Sequence, residues 1–288
     1  MLAKLHPHPR DARIRSEQEP GRRQNTYIDG KLCNGWGVTR LLNRWFPNTF
    51  DADEFYKDDK QKREADEKMN SRDTNIGVFL SLCAENFLND EPFSPCSLFP
   101  EFKCFEDVPG FKNFKLAYAA IPSTWVRYRV EWPLFCEIKG VTGKPDIVFR
   151  DMSDPLCLNL IIVDLKYIKN PKRWFCSKND RNLKKRTNCK KSHSNHAKDH
   201  DPVCAARGQF ELSHMMNTKV MKCGTQMALY RALLLERYQE QCELPIVINE
   251  MRGWFLRPEF QYMHVFEQEE IALFDPATHY IFVAEKKE

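Results

Sequence analysis

The chain reads as an α/β protein, with a mixed central sheet flanked by helices. Segments of helical and strand periodicity follow one another in the order helix, strands, helix, strands, which points to one domain. Hydrophobic residues make up 42% of the 288 positions and charged residues 29%, enough to bury a sizeable core and to exclude a wholly disordered chain. The longest apolar runs, such as Leu158 to Val163, have strand length, so no transmembrane helix is expected.

Residues 1–25, rich in Arg, Pro and Gln, are expected to form a flexible extension, followed by a single domain over residues 26–288. They contain no apolar stretch of the kind a secretory signal needs. Thr39 can cap a helix that begins near Arg40, carries Leu41, Leu42 and Trp45 as its apolar residues, and stops at Pro47. Asp51 to Asn70 is polar enough for an exposed helix. Asn75 to Leu88 places Ile76, Phe79, Leu80, Cys83 and Phe87 at the spacing of a half-buried helix. Residues 89–123 hold many Pro and Phe without a clear period, and Trp125 to Ile138 alternates as a strand or hairpin arm. Asp146 to Phe149 and Leu158 to Leu165 flank the turn formers Asp151, Ser153, Asp154 and Pro155, which predicts a β-hairpin. Thr225 to Tyr238 predicts a helix with Ala228, Leu229, Ala232, Leu233 and Leu235 on its apolar face. Pro245 to Ile248, Gly253 to Leu256 and Tyr262 to Phe266 predict strands.

The eleven cysteines are odd in number, scattered from Cys33 to Cys242, and never spaced as C-x-x-C. With no export signal they read as reduced thiols of an intracellular protein, in the nucleus, cytoplasm or mitochondrion. The net charge of +4 is unevenly placed. Eleven basic against three acidic residues lie between Lys169 and Asp201, so this stretch carries +8 and the rest of the chain −4. A basic insert at about residues 169–204 on a slightly acidic body suggests a polyanion partner, and a solvated loop is the alternative.

Two features at the predicted hairpin carry chemistry. Gly143-Lys144-Pro145-Asp146 stands at the mouth of its first strand and Asp164-Leu165-Lys166 at the end of its second. Residues two apart on a strand share a face, so Asp164 and Lys166 project together while Leu165 turns into the core. If the hairpin pairs in register, Asp146 comes alongside Asp164. Two carboxylates with the backbone carbonyl of Leu165 form a hard oxygen site of the kind that holds Mg²⁺ or Mn²⁺. The ammonium of Lys166 beside it can hold a water or stabilise a pentavalent phosphate, and phosphodiester hydrolysis needs that combination.

Pro145-Asp146 with Asp164-Leu165-Lys166 resembles the motif of the PD-(D/E)xK nuclease superfamily. Gln226-Met227-Ala228-Leu229-Tyr230 resembles the Q-x-x-x-Y motif of its RecB-like branch, and its two polar residues share one helix face. Upstream, Gly77, Ser81 and Glu85 stand where that branch often carries G-x-x-x-H-x-x-x-E, with Ser81 in place of the family's His. Val38-Thr39-Arg40, Phe46-Pro47, Phe50-Asp51 and Glu131 are weaker points of similarity, and the whole resemblance spans roughly residues 36 to 266. It implies a restriction-endonuclease-like core and a Mg²⁺- or Mn²⁺-dependent deoxyribonuclease of replication, repair or recombination. Asp146, Asp164 and Lys166 would be catalytic. Asp146, Asp164, the Leu165 carbonyl and Glu85 would hold the metal. Gln226 and Tyr230 would contact DNA, and so would Lys184, Lys185 and Arg186 of the insert.

An exonuclease acting on DNA ends or single strands is the activity the resemblance favours. A structure-specific endonuclease of the same fold and a non-catalytic nucleic-acid-binding protein are the alternatives. Cys189, His193, His196, His200 and Cys204 do not have a usual zinc spacing, so zinc is not expected. Only Cys242 follows Tyr230, so no iron–sulfur cluster is expected either. Trp174 and Phe175 among Lys172, Arg173 and Lys178 could stack on bases or anchor the insert. The absence of a Walker A motif argues against an ATP-driven motor.

Overall fold

The computed structural model describes residues 6–17, 25–33, 35–46, 59–138, 140–168, 219–258, 260–266, 271–272 and 274. Its centre is a five-stranded mixed sheet with helices on both faces. In chain order the sheet strands are β5 (Trp125–Val130), β8 (Ile147–Asp151), β9 (Leu158–Tyr167), β10 (Ile246–Arg257) and β11 (Phe260–Val265), arranged β11-β10-β9-β8-β5. All neighbours are antiparallel except β9 and β10. A parallel pair needs a long crossover, and helix α4 (Lys219–Leu233) lies within it. Two three-stranded sheets accompany the main one: β1 (Ile14–Glu17), β2 (Asn25–Ile28) and β3 (Lys31–Leu32) form the first, and β4 (Trp36–Gly37), β7 (Val141–Gly143) and β6 (Leu134–Cys136) the second.

β9 explains the layering. Its run Leu158 to Val163 is apolar at every position but Asn159, as expected of a strand covered on both faces. Leu158, Leu160 and Ile162 join a core with α4 and with α1 (Val38–Trp45). Ile161, Val163 and Leu165 join a second core with α2 (Lys60–Leu88) and α3 (Phe111–Ala119).

The predicted hairpin forms, with Ile147 opposite Val163 as its last bonded pair. Several boundaries differ from the expectations. The two helices predicted over Asp51–Asn70 and Asn75–Leu88 are one helix from Lys60 onward; residues 51–58 lie outside the described residues. Arg63–Glu67 and Lys60–Glu64 pairs line its polar half, and at its C-terminus Arg127 donates to the Leu88 carbonyl. α1 starts at Val38 with Gly37 at its N-cap, so Thr39 is not the cap. The unpatterned stretch 89–123 contains α3, which buries Phe111, Phe114 and Ala117. The helix predicted to Tyr238 ends as α-helix at Leu233 and continues as a π-turn, Leu234–Tyr238.

The strands predicted at 245–248 and 253–256 are one strand, β10, interrupted by a bulge between Ile248 and Glu250. The bulge reverses the alternation. Ile246 and Ile248 face the α4 side before it, and Met251 and Phe255 face that side after it.

Residues 6–17, assigned by composition to a loose extension, make specific contacts. His8 and Arg10 are buried. Arg10 donates to the Phe135 carbonyl and to Glu137, and stacks over the Phe135 ring. Asp11 accepts from the Arg129 guanidinium at 2.6 Å and from the Trp132 indole at 2.9 Å. Each of the two buried guanidinium groups thus meets a carboxylate. His8 accepts the Arg10 N–H on Nδ1 and donates from Nε2 to the Tyr238 carbonyl. Among the described residues no helix is long and apolar enough to cross a membrane.

Candidate active site

One step beyond the Ile147–Val163 pair, Asp146 faces Asp164, and one step beyond the Val130–Ile147 pair, Glu131 faces Asp146. Three acids thus lie in a row across three adjacent strand ends, and on the far side Gly253 of β10 pairs with Asp164. The hairpin ladder stops where the site begins. In place of the next backbone bond, Asp146 Oδ2 accepts the Leu165 N–H at 2.6 Å. The N–H and C=O of one residue in an extended strand point the same way, so the Leu165 carbonyl is turned toward the same edge. The Leu165 side chain is buried in the α2–α3 core.

Asp164 is fully buried, at 0% exposure. Its Oδ2 carries two donors, the Lys166 ammonium at 2.5 Å and the Cys223 thiol at 3.2 Å. Its Oδ1 is buried with no hydrogen-bond partner. Burial, and then the facing Asp164 charge, push Asp146 well above the usual carboxylate range. Burial opposes the charge on Lys166, but Asp164 and Asp146 outweigh it and hold the ammonium above the ordinary lysine value. Lys166 is therefore a fixed cation at neutral pH.

Gln226 and Tyr230 sit one turn apart on α4, with Gln226 Nε2 donating to the Tyr230 hydroxyl at 2.7 Å. The Tyr230 ring lies against Gly143, where a Cβ would come within 2.5 Å of it. The small residue that opens Gly143-Lys144-Pro145-Asp146 thus lets α4 reach the end of the hairpin. Burial, followed by the two aspartates, raises the Tyr230 hydroxyl above its usual value, so it stays protonated.

No protein-family model matches the chain, and no curated protein matches it either. The site is therefore assessed on its own geometry.

α2 brings Gly77 against Tyr167, with 3.2 Å between a Cβ placed at Gly77 and that of Tyr167. Ser81 donates to the Gly77 carbonyl within the helix at 3.3 Å. Glu85 is half-buried and its carboxyl is pushed up by burial and then by Glu131. Glu131 adopts a left-handed backbone (φ 47°), donates its N–H to the Asp146 carbonyl and pairs with Lys144 at 2.6 Å. Lys184, Lys185 and Arg186, the Cys/His cluster and the Trp174-Phe175 pair lie outside the described residues.

A cation fits this donor set. A buried carboxylate oxygen without a donor beside a second carboxylate whose charge is disfavoured is what a bound divalent ion would relieve. Among the described residues no three His, Cys, Asp or Glu side chains form a ready metal cage. Carboxylate and carbonyl oxygens of this kind suit Mg²⁺ or Mn²⁺.

Cys223 and Gly253 were not singled out from the sequence. Cys223 precedes Gln226 by three positions and Tyr230 by seven, which puts all three on one helix face. That spacing was the available signal.

Proposed function

We propose that the chain is a Mg²⁺- or Mn²⁺-dependent deoxyribonuclease with a restriction-endonuclease-like core, acting on DNA ends or single strands. The observation that carries this reading is the placement of Asp146 opposite Asp164 at the open end of the hairpin, with Lys166 paired to Asp164. The order of elements is compatible with it: a helix, three antiparallel strands, then a helix leading into a strand parallel to the third. Asp146, Asp164, the Leu165 carbonyl and Glu85 would hold the metal.

A metal bound there supplies a water of lowered pKa and neutralises charge on the phosphate. The chain's own groups do the rest. Lys166, a cation beside Asp164, would donate to the attacking water or to a phosphoryl oxygen as charge builds up. Gln226 and Tyr230, coupled by their hydrogen bond, present an amide and a neutral hydroxyl that orient the DNA strand. The buried strands behind Asp164 keep the pair of carboxylates in a low-dielectric setting where a cation is worth most.

Incubation with linear and circular single-stranded DNA, with Mg²⁺ or Mn²⁺ and with EDTA, tests the reading. An exonuclease degrades only the linear form, and Asp164→Ala abolishes the reaction. Cleavage of both forms favours an endonuclease. Binding without metal-dependent cleavage, or wild-type cleavage by Asp164→Ala at saturating Mn²⁺, removes the proposal.

A further inference from the structure

Cys223 has no role in the function proposed above, yet its thiol contacts a central carboxylate of the site. We infer that Cys223 is a positioning residue for Asp164: the thiol and the Lys166 ammonium together occupy Oδ2, leaving Oδ1 as the one oxygen that can meet a divalent cation. This inference rests on the metal-dependent reading of the site.

The geometry supports it from two sides. A carboxylate oxygen has about two lone-pair directions, and Oδ2 already has two donors, at 2.5 Å and 3.2 Å. Oδ1 is buried and has no donor. The carboxyl group is therefore presented with one saturated oxygen and one open oxygen. The thiol packs beside residue 253, the neighbour of Asp164 on β10, which has no side chain. A Cβ at Gly253 would stand 3.3 Å from Sγ and 2.6 Å from the Phe255 ring. Cys223 is itself buried, which suits a compact apolar donor and removes it from the reactive thiols, which are partly exposed.

The consequence concerns which ions the site accepts. A carboxylate with one open oxygen binds in the monodentate manner that small octahedral ions take, whereas Ca²⁺ readily uses both oxygens of a carboxylate. Cys223 then favours Mg²⁺ and Mn²⁺ over Ca²⁺ by fixing the orientation of Asp164, without touching the metal.

The test is calorimetric titration of the full chain with MnCl₂ and with CaCl₂ in the absence of DNA. Wild type is compared with Cys223→Ser, Cys223→Ala and Asp164→Asn. Serine keeps a donor at this position and alanine does not. We expect Cys223→Ala to bind Mn²⁺ about 10- to 100-fold more weakly, as for loss of an outer-shell partner, with a smaller preference over Ca²⁺, and Cys223→Ser to stay near wild type. Should Cys223→Ala not fold, Cys223→Val, which lacks the donor but fills the space, is read against serine in its place. Wild-type Mn²⁺ binding by the donor-less variant, or equal losses in the serine and donor-less variants, overturns the role of Cys223 alone. If wild type binds no Mn²⁺, or Asp164→Asn binds it equally well, the metal reading falls and this inference with it.

Discussion

Asp146→Asn removes one of two facing carboxylates while leaving an oxygen to accept the Leu165 N–H. Side chains directly opposite on an antiparallel pair lie about 5 Å apart at Cβ. Two unit charges at about 5 Å repel by about 3 kcal/mol at an effective dielectric constant of about 20. Lys166, 2.5 Å from Asp164, offsets part of this, so a net gain of about 1–2 kcal/mol is expected for the metal-free variant. The gain depends on pH with a definite sign. Asp146 is raised in the folded chain, so at low pH it is protonated in both the folded and unfolded states and carries no penalty. As pH rises through the ordinary aspartate value the unfolded chain ionises first, and stability falls until the raised value is passed. Asparagine does not titrate, so its advantage should be small near pH 4, about the ordinary aspartate value, and larger near pH 8. Urea unfolding in EDTA at both pH values reads this as a shift in midpoint at constant slope. Excess Mn²⁺ should reverse the order, since an ion at about 100 times its dissociation constant stabilises wild type by about 2.7 kcal/mol and the variant much less. A variant less stable than wild type at pH 8 without metal, or a gain equal at both pH values, would refute the reasoning.

Three further outcomes are expected. Lys166→Ala should lower turnover at saturating Mn²⁺ by on the order of 10² to 10³, as for loss of one charge contact in the transition state; an unchanged kcat removes Lys166 from the chemistry. Asp11→Ala leaves Arg129, 2% exposed, without its carboxylate, and should lower the unfolding free energy by about 3 kcal/mol in urea titration. Replacing Lys184, Lys185 and Arg186 with Ala should flatten the slope of log K against log salt for single-stranded DNA by roughly two units if all three meet phosphates, while the metal dependence of cleavage stays the same.

The main sheet could be read from the sequence where local pattern and tertiary burial agree. β8 and β9 satisfy that condition, and the meeting of Asp146 with Asp164, expected only if the hairpin paired in register, is met by the register Ile147–Val163. The pattern misleads where a contact from a distant segment decides. The bulge at Ile248–Glu250 reverses the alternation in mid-strand, so β10 reads as two strands. The polar first half of α2 has no apolar face, and its continuity with Ile76 to Leu88 rests on pairs along its surface. Nothing local in the sequence marks Arg10 and Arg129 for burial; their partners Glu137 and Asp11 come from distant segments. In the site, Asp164 and Lys166 were evident as neighbours on one strand, whereas Cys223 reaches Asp164 across 59 positions, beside a glycine at residue 253.

The docking of residues 6–13 bears on the order in which the molecule assembles. His8 meets the Tyr238 carbonyl across 230 positions, and Arg10 and Asp11 meet residues 129–137. Closing so long a loop is entropically unfavourable until the sheet and the π-turn that receive the segment already exist. The segment is therefore expected to dock late in folding, after the transition state. Contacts of that kind govern how fast the native chain comes apart rather than how fast it forms. The clip that His8, Arg10 and Asp11 make across Trp132 and Tyr238 should therefore act as a kinetic latch: loosening it is expected to shorten the lifetime of the folded molecule while leaving the rate of its formation almost untouched.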